Sequence, residues 1–156
     1  MSTREIYNYR PVNENLILGG QPTAEQIQSA AQEGFRAVIN LATYKPGKSL
    51  EGEAELVRSL GMAYYPIPVD WENPKESDFT EFESVMKQLG TTKTLLHCAA
   101  NFRATAFYGL YAIKNLGWSE QDADEFRAPI WNSHDYPIWE TFIERMKAKI
   151  SLDYNR

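Results

Sequence analysis

The residues best suited to chemistry in this sequence are a cysteine and an arginine separated by four residues. Cys98 is the only cysteine in the chain, and Arg103 follows it. The apolar run before Cys98 predicts a short buried strand, and the spacing after Arg103 predicts a helix. A turn from strand to helix directs successive backbone N–H groups into one concavity, and the helix N-terminus adds partial positive charge. Such a concavity stabilises a thiolate, and an arginine there holds a phosphate or sulfate by two parallel hydrogen bonds.

The residues after Cys98 are the predicted phosphate-binding loop, which comprises Ala99, Ala100, Asn101, Phe102 and Arg103. A tight loop around an anion often needs a positive φ, which glycine supplies, and this loop contains no glycine. Asn101 is the predicted substitute, because asparagine tolerates that conformation. Phe102 is expected to point outward and to form one wall of the pocket.

Three further residues are predicted to support the loop. His97 precedes Cys98 in the strand, so its side chain lies on the opposite side of the sheet and does not touch the sulfur. Its role is either a buried imidazole bonded to backbone or a residue that orders the loop. Asn40 ends one predicted strand and Gln21 follows another. Each amide either holds the cysteine loop or belongs to a turn.

The elements that must position these residues alternate between strands and helices. Apolar runs predict strands at 16–18, 36–41 and 62–69, and helical spacing is clearest at 53–60, 78–89 and 138–150. Thr23 and Ser119 are predicted helix N-caps. This alternation predicts an α/β fold with a mostly parallel central sheet of four to five strands and helices on both faces. Ligands of such sheets bind beyond the carboxyl ends of the strands, where Cys98 lies.

Composition sets the class of protein. The 156 residues suffice for one domain, expected to cover 1–156 with 1–15 as an N-terminal arm. The net charge of −5 argues against a nucleic-acid surface. A single cysteine excludes an internal disulfide, and no signal peptide or membrane-spanning run is evident, so a cytoplasmic location is expected. The two histidines lie far apart in sequence, so no metal or cofactor is expected.

The pair His97-Cys98 followed by Arg103 resembles the phosphate-binding loop of cysteine-dependent protein tyrosine and dual-specificity phosphatases. Those loops usually place five residues between cysteine and arginine, whereas this loop has four. The shorter loop is similar to that of rhodanese-type sulfurtransferases and of a bacterial group of small phosphatase-like proteins. Segments 19–23, 38–41 and 66–69 look like those of the bacterial group in the same order, so the resemblance covers about 16–143.

The resemblance also implies a proton donor. Asp70 matches the general-acid loop of dual-specificity phosphatases, where a carboxylic acid protonates the leaving oxygen. Glu72 and Asp78 are alternatives, as is a solvated Asp70 without a chemical role. In the phosphatases that this chain resembles, a hydroxyl usually follows the arginine directly and helps the thiolate leave. Ala104 takes that place here, and the next residue, Thr105, either reaches back toward sulfur or caps the helix.

Three functions are compatible with these residues. The first is a metal-independent phosphatase in which Cys98, Arg103 and Asp70 hydrolyse a phosphorylated protein or a small phosphomonoester through a phosphocysteine. The second is a rhodanese-like sulfurtransferase with a Cys98 persulfide, because a sulfur atom needs less room than a phosphate. The third is a catalytically weak module that only binds phosphate. The loop's lack of glycine, and the lack of a hydroxyl directly after Arg103, keep the third open.

Overall fold

A computed structural model describes residues 2–154 and contains one five-stranded sheet flanked by helices. The strands are β1 (Arg10–Asn13), β2 (Leu16–Gly19), β3 (Ala37–Asn40), β4 (Ala63–Pro66) and β5 (Thr94–His97). The helices are α1 (Ala24–Gln32), α2 (Glu53–Ser59), α3 (Glu76–Leu89), α4 (Phe102–Asn115), α5 (Glu120–Arg127) and α6 (Pro137–Tyr154). Within 2–154, none of these helices has the length and apolar composition that crossing a bilayer would require.

The sheet is parallel except at one edge. Its strand order is β1-β2-β5-β3-β4, with β1 antiparallel to β2 and the remaining neighbours parallel. The last residues of the three central strands, Gly19, His97 and Asn40, lie side by side in register. The predicted mostly parallel α/β sheet is therefore confirmed. The segments that follow these strands all emerge at the same edge.

Helices cover both faces of the sheet. On the front face, α3, α4, α5 and α6 enclose an apolar core with the strand residues Leu18, Ile39 and Leu96. On the back face, α1 and α2 enclose a smaller core with Ile17, Val38 and Leu95. Side chains alternate along a strand, so Cys98 belongs to the front face and His97 points to the back.

Local sequence explains where two helices begin. The Thr23 hydroxyl accepts the Gln26 N–H at 3.1 Å, and the Gln26 side chain accepts the Thr23 N–H at 2.9 Å, which is the predicted capping box. Ser119 caps α5 by accepting the Asp122 N–H at 2.9 Å, also as predicted. Such caps satisfy N–H groups that the first turn of a helix leaves without partners.

Two strands differ from the sequence-based expectation. Within the expected N-terminal arm, Arg10–Asn13 forms β1, whose Pro11 is tolerated because the strand lies at the sheet edge. The strand predicted at 62–69 ends at Pro66, yet the chain continues beside β3. There the Val69 N–H donates to the Leu41 carbonyl at 2.9 Å. That extension carries Val69 to the site described next.

Candidate active site

The loop between β5 and α4 is anchored through its carbonyl groups. The carbonyl oxygens of Cys98, Ala99 and Ala100 each have a hydrogen-bond partner elsewhere in the fold. The partners are His97 Nδ1 at 3.1 Å, the Gln21 N–H at 2.8 Å and Asn8 Nδ2 at 2.9 Å, respectively. Within 2–154, the backbone N–H groups of 99–102 donate to no protein acceptor. The loop thus has tethered acceptors and unused donors, the arrangement that suits an anion.

Asn101 takes the conformation predicted for it. Its φ is 69°, and it precedes the first residue of α4. Its side-chain amide donates to the Asn8 carbonyl at 2.7 Å, while the Asn8 amide donates to Ala100. Asn8 also has a positive φ, 52°. Two asparagines therefore hold the loop in place of the glycine that such loops often contain. One of them, Asn8, comes from the N-terminal segment.

A glycine does contribute, but from a neighbouring strand end. A Cβ atom at Gly20 would lie 2.7 Å from the Ala99 carbonyl oxygen, closer than any side chain permits. Because glycine has no side chain, the Gly20–Gln21 backbone approaches the loop closely enough for the Gln21 N–H to donate to the Ala99 carbonyl.

Arg103 occupies the first turn of α4 and shares a cleft with Cys98. Its side chain is buried, and one terminal nitrogen donates to the Val69 carbonyl at 2.8 Å. The Trp71 ring lies 6.0 Å from the guanidinium carbon. The positive end of α4 disfavours a guanidinium in this position. A bound anion would offset that repulsion, because both the guanidinium and the helix end attract it.

The cleft has a volume of about 470 Å³ and a positive lining. Cys98, Ala99, Ala100 and Arg103 line it, together with an aromatic group formed by Trp71, Phe102 and Tyr136. Lys45 and Lys48, from the loop between β3 and α2, also line the cleft. Its charged lining residues within 2–154 are therefore all cations. This positive charge contrasts with the chain's net charge of −5. An anionic ligand is favoured here by charge as well as by hydrogen bonding.

The aromatic side of the cleft is firmly packed. Phe102 stacks on Trp131 with ring centroids 4.9 Å apart and planes 5° apart. Trp71 contacts both rings, and its carbonyl accepts the Trp139 indole N–H at 2.7 Å. Phe102 forms a wall of the cleft, as predicted, whereas Trp131 supports it from within the core.

Behind the sheet, His97 binds a carboxylate that is buried with it. Its Nε2 lies 2.7 Å from Glu53 Oε2, and both side chains are at most 5% exposed. Gln21 donates to Glu53 Oε1 at 2.7 Å, and Asn40 donates to Oε2 at 3.3 Å and to the Tyr64 hydroxyl at 3.0 Å. The three predicted supporting residues therefore meet at one carboxylate. We call Glu53, His97, Gln21, Asn40 and Tyr64 the back-face cluster.

Electrostatics inside the back-face cluster favour a charged Glu53. Burial alone would raise the pKa of Glu53, but the charge and hydrogen bond of His97, with hydrogen bonds from Gln21 and Tyr64, hold it below its ordinary value. Burial raises the pKa of Tyr64 to about 12, and its Asn40 hydrogen bond only partly opposes this. Glu53 is therefore an anion and Tyr64 a neutral phenol at neutral pH.

None of the three candidate acids, Asp70, Glu72 and Asp78, is among the residues that line the cleft in this conformation. Asp70 is exposed, is not among the lining residues, and accepts the Glu72 N–H at 2.9 Å. Asp78 accepts the Lys75 N–H at 3.1 Å at the start of α3. Thr105 donates its hydroxyl to the Asn101 carbonyl at 2.7 Å and accepts the Trp131 indole N–H at 2.9 Å. The Thr105 hydroxyl is thus bonded back to the first turn of α4 and does not point toward the sulfur.

Comparison with solved structures places this geometry in a family. Two crystal structures of a candidate phosphatase (DUF442) from Shewanella putrefaciens CN-32 superpose with TM-scores of 0.84 and 0.85. Sequence identity is 32% and 33%, over 92% and 94% of this chain and 91% and 95% of the other. This chain belongs to the DUF442 family.

More distant structures share the fold of this DUF442 chain. TpbA of P. aeruginosa, a variant solved in complex with pTyr, has a TM-score of 0.67 at 15% identity over 92% of this chain and 90% of TpbA. PTPMT1 has a TM-score of 0.68 at 18% identity over 92% of this chain and 98% of PTPMT1. The fold is that of the cysteine-dependent tyrosine and dual-specificity phosphatases, as the sequence resemblance implied.

Sequence relatives of the DUF442 chain are larger proteins. A beta-lactamase hydrolase-like protein of Xylella fastidiosa (strain 9a5c) is 29% identical over 143 residues, which are 86% of this chain but 31% of the relative. One from Agrobacterium fabrum is 30% identical over 74% of this chain and 27% of its own length. The chain therefore spans less than a third of these curated relatives. No protein-family model matches it.

Several residues of this site were not identified from the sequence, and four of them make its main charged or loop-binding contacts. Lys45 and Lys48 line the cleft, Asn8 binds the cysteine loop, and Glu53 joins the back-face cluster. Only Glu53 carried a signal: it occupies the inward stripe of an amphipathic helix with Val57, where an ionised side chain is out of place without a partner.

Proposed function

We propose that this protein is a cysteine-dependent phosphatase that hydrolyses a phosphomonoester in the cytoplasm, with no need for a metal or cofactor. The observation that carries the proposal is the shared cleft of Cys98 and Arg103, joined by a loop whose N–H groups at 99–102 have no acceptor in the described chain. This arrangement matches the needs of a trigonal PO₃ group, which presents three charged oxygens to surrounding donors. Membership in the DUF442 family and the phosphatase fold support it.

In the first step, the Cys98 thiolate attacks phosphorus in line with the ester oxygen. The P–S bond forms as the P–O bond breaks, while Arg103 and the loop N–H groups hold the remaining oxygens. Asp70 donates a proton to the leaving alcohol. A water then attacks phosphorus, Asp70 accepts its proton, and the thiolate and inorganic phosphate are released.

The role of Asp70 requires a rotation of its side chain. Its backbone lies between Val69, which holds Arg103, and Trp71, which lines the cleft. The carboxylate is exposed and its partner is the N–H of Glu72 in the same turn, so little packing opposes reorientation. Its place in the chain favours Asp70 over Glu72 and Asp78 as the general acid.

The charge of the cleft favours a substrate with a second negative group. Lys45 and Lys48 line the same cleft as Cys98 and Arg103, and within 2–154 neither makes an ion pair. The nearby Glu51 is already engaged by the Tyr44 hydroxyl. A phosphorylated protein segment with acidic neighbours, or a small metabolite with a second phosphate or carboxylate, fits this lining.

A second function, sulfur transfer, is favoured by one observation: among residues 2–154, no carboxylate lines the cleft. In that reaction, the Cys98 thiolate attacks the outer sulfur of thiosulfate, the S–S bond breaks, and sulfite leaves without needing a proton. The Cys98 persulfide then passes its outer sulfur to an acceptor such as cyanide, which regenerates the thiolate. The loop of four residues between cysteine and arginine suits the smaller sulfur atom.

One paired assay separates the two functions. The same pure protein is tested for aryl phosphate hydrolysis and for transfer of sulfur from thiosulfate to cyanide. Phosphatase function predicts hydrolysis that disappears in Cys98→Ser, a nearly isosteric change that leaves the fold intact by circular dichroism. Sulfur transfer without hydrolysis would replace the first function by the second. Binding of phosphate without either turnover would indicate a phosphate-binding module.

A further inference from the structure

The back-face cluster has a definite proton arrangement. His97 Nδ1 faces the Cys98 carbonyl at 3.1 Å, and a carbonyl only accepts, so Nδ1 carries a hydrogen. Nε2 faces Glu53 at 2.7 Å, so another hydrogen lies between imidazole and carboxylate. Glu53 receives further donors from Gln21 and Asn40, which favour its ionised form. The imidazole is therefore held at both nitrogens, by the Cys98 carbonyl on one side and by the Glu53 carboxylate on the other.

The Glu53 carboxylate reaches the cysteine loop by two routes. Through His97 it is connected to the Cys98 carbonyl. Through the side chain of Gln21 it is connected to the residue whose own N–H binds the Ala99 carbonyl. One buried side chain thus fixes two consecutive peptide groups of the loop.

Fixing those carbonyls also fixes the donors that face an anion. The described chain contains no cis peptide bond, so each peptide's N–H points opposite to its C=O. With the Cys98 carbonyl turned to His97, the Ala99 N–H points the other way. With the Ala99 carbonyl turned to the Gln21 N–H, the same holds for the Ala100 N–H. Both alanines line the cleft, and neither N–H has a protein acceptor within 2–154.

We propose that Glu53 is a positioning residue for Cys98, which holds His97 and Gln21 in place and thereby keeps the loop N–H groups directed at the thiolate. Within the cluster, Tyr64 is neutral at working pH, and among the residues around it the Arg58 guanidinium lies 5.9 Å from the Tyr64 ring.

The test is the alkylation of Cys98 by iodoacetamide as a function of pH, which is unambiguous because the chain has one cysteine. Glu53→Gln replaces the carboxylate by an amide of nearly the same shape and so removes its charge. The pH midpoint of alkylation should rise by about 0.5–1 unit, the size expected when loop hydrogen bonds to the thiolate weaken by about 1 kcal/mol. Tyr64→Phe is the matched control, because it removes a hydrogen bond of the same cluster and leaves the charges. Its midpoint should stay where the wild-type midpoint lies.

A purely structural role for Glu53 would lower stability in both variants and move neither midpoint, which would overturn the proposal. A second measurement needs no variant: ¹⁵N NMR of wild-type His97 should show a hydrogen on Nδ1, as its bond to the Cys98 carbonyl requires, and an unprotonated Nδ1 would refute the proposal. The inference rests on Cys98 as the reacting group of the proposed function. Alkylation reports the thiolate whichever reaction it performs, so absence of hydrolysis would leave this test intact.

Discussion

The two sides of the cysteine loop solve opposite problems. On the front, Cys98 and Arg103 open on a cleft whose backbone donors have no protein acceptor within 2–154. On the back, the side-chain groups of His97 and Glu53 are all hydrogen-bonded and almost wholly buried. The comparison shows that the N–H groups at the front are available to a ligand because the hydrogen bonds at the back are already made. Donors remain free for a ligand because the opposing carbonyls are already satisfied.

If this division is correct, variants at the front remove chemistry and leave stability almost unchanged. Among variants that keep Cys98, the largest expected effect is at Asp70, where Asp70→Asn should slow hydrolysis of an alkyl phosphate by about 10²–10⁴-fold. The loss should shrink for a nitrophenyl phosphate, whose leaving group needs no proton. Steady-state kinetics on both substrates measure the ratio. Equal losses on the two would assign Asp70 a positioning role instead.

Arg103→Lys tests the front side at its anion-binding group. Lysine keeps the charge but lacks the planar fork that holds two oxygens, so kcat/KM should fall by about 10²–10³-fold. Thermal unfolding should change little, because the charge and most of the apolar stem remain. A variant that retained full kcat/KM would show that Arg103 does not hold the reacting group.

Asn101 lies at the junction of the two sides, and two substitutions separate its roles. Asn101→Ala must keep φ at 69° without the asparagine side chain, which should cost about 1–2 kcal/mol of stability. Asn101→Gly adopts that φ freely and loses only the hydrogen bond to Asn8. Urea unfolding should therefore place glycine above alanine in stability. The reverse order would mean that the side chain, not the backbone conformation, is the main requirement.

The back side should reveal itself through pH rather than through substrate, and with the smallest effect. The folded-state pKa of Glu53 lies below its ordinary value of 4.5, so its stabilising contribution is complete at neutral pH and is lost as pH falls through the folded value. The difference in unfolding free energy between wild type and Glu53→Gln should therefore shrink in acid. Urea titrations at several pH values measure it, and a constant difference would contradict an ionised Glu53.

The sequence predicted what local patterns determine. Continuous apolar runs located the central strands and period-3.6 spacing located the helices, while the cysteine, the arginine and Asn101 define their turn by adjacency alone. The contacts that the sequence did not predict join segments that are far apart along the chain. Asn8 lies 92 residues from its partner Ala100, and Glu53 lies 44 residues from His97. Nothing near either residue in sequence encodes such contacts, which exist only once the strands have paired in register.

The strand order has a consequence for synthesis on the ribosome. β5 is the last strand along the chain, yet it lies between β2 and β3 in the sheet. Until residue 97 has been made, those two strands have no common neighbour and each exposes an unpaired, apolar edge. Exposed edges of this kind invite pairing with other chains. A nascent or truncated chain that stops before β5 should therefore aggregate, whereas addition of the single strand 94–97 joins two half-sheets and brings the following loop, 98–103, to their common edge.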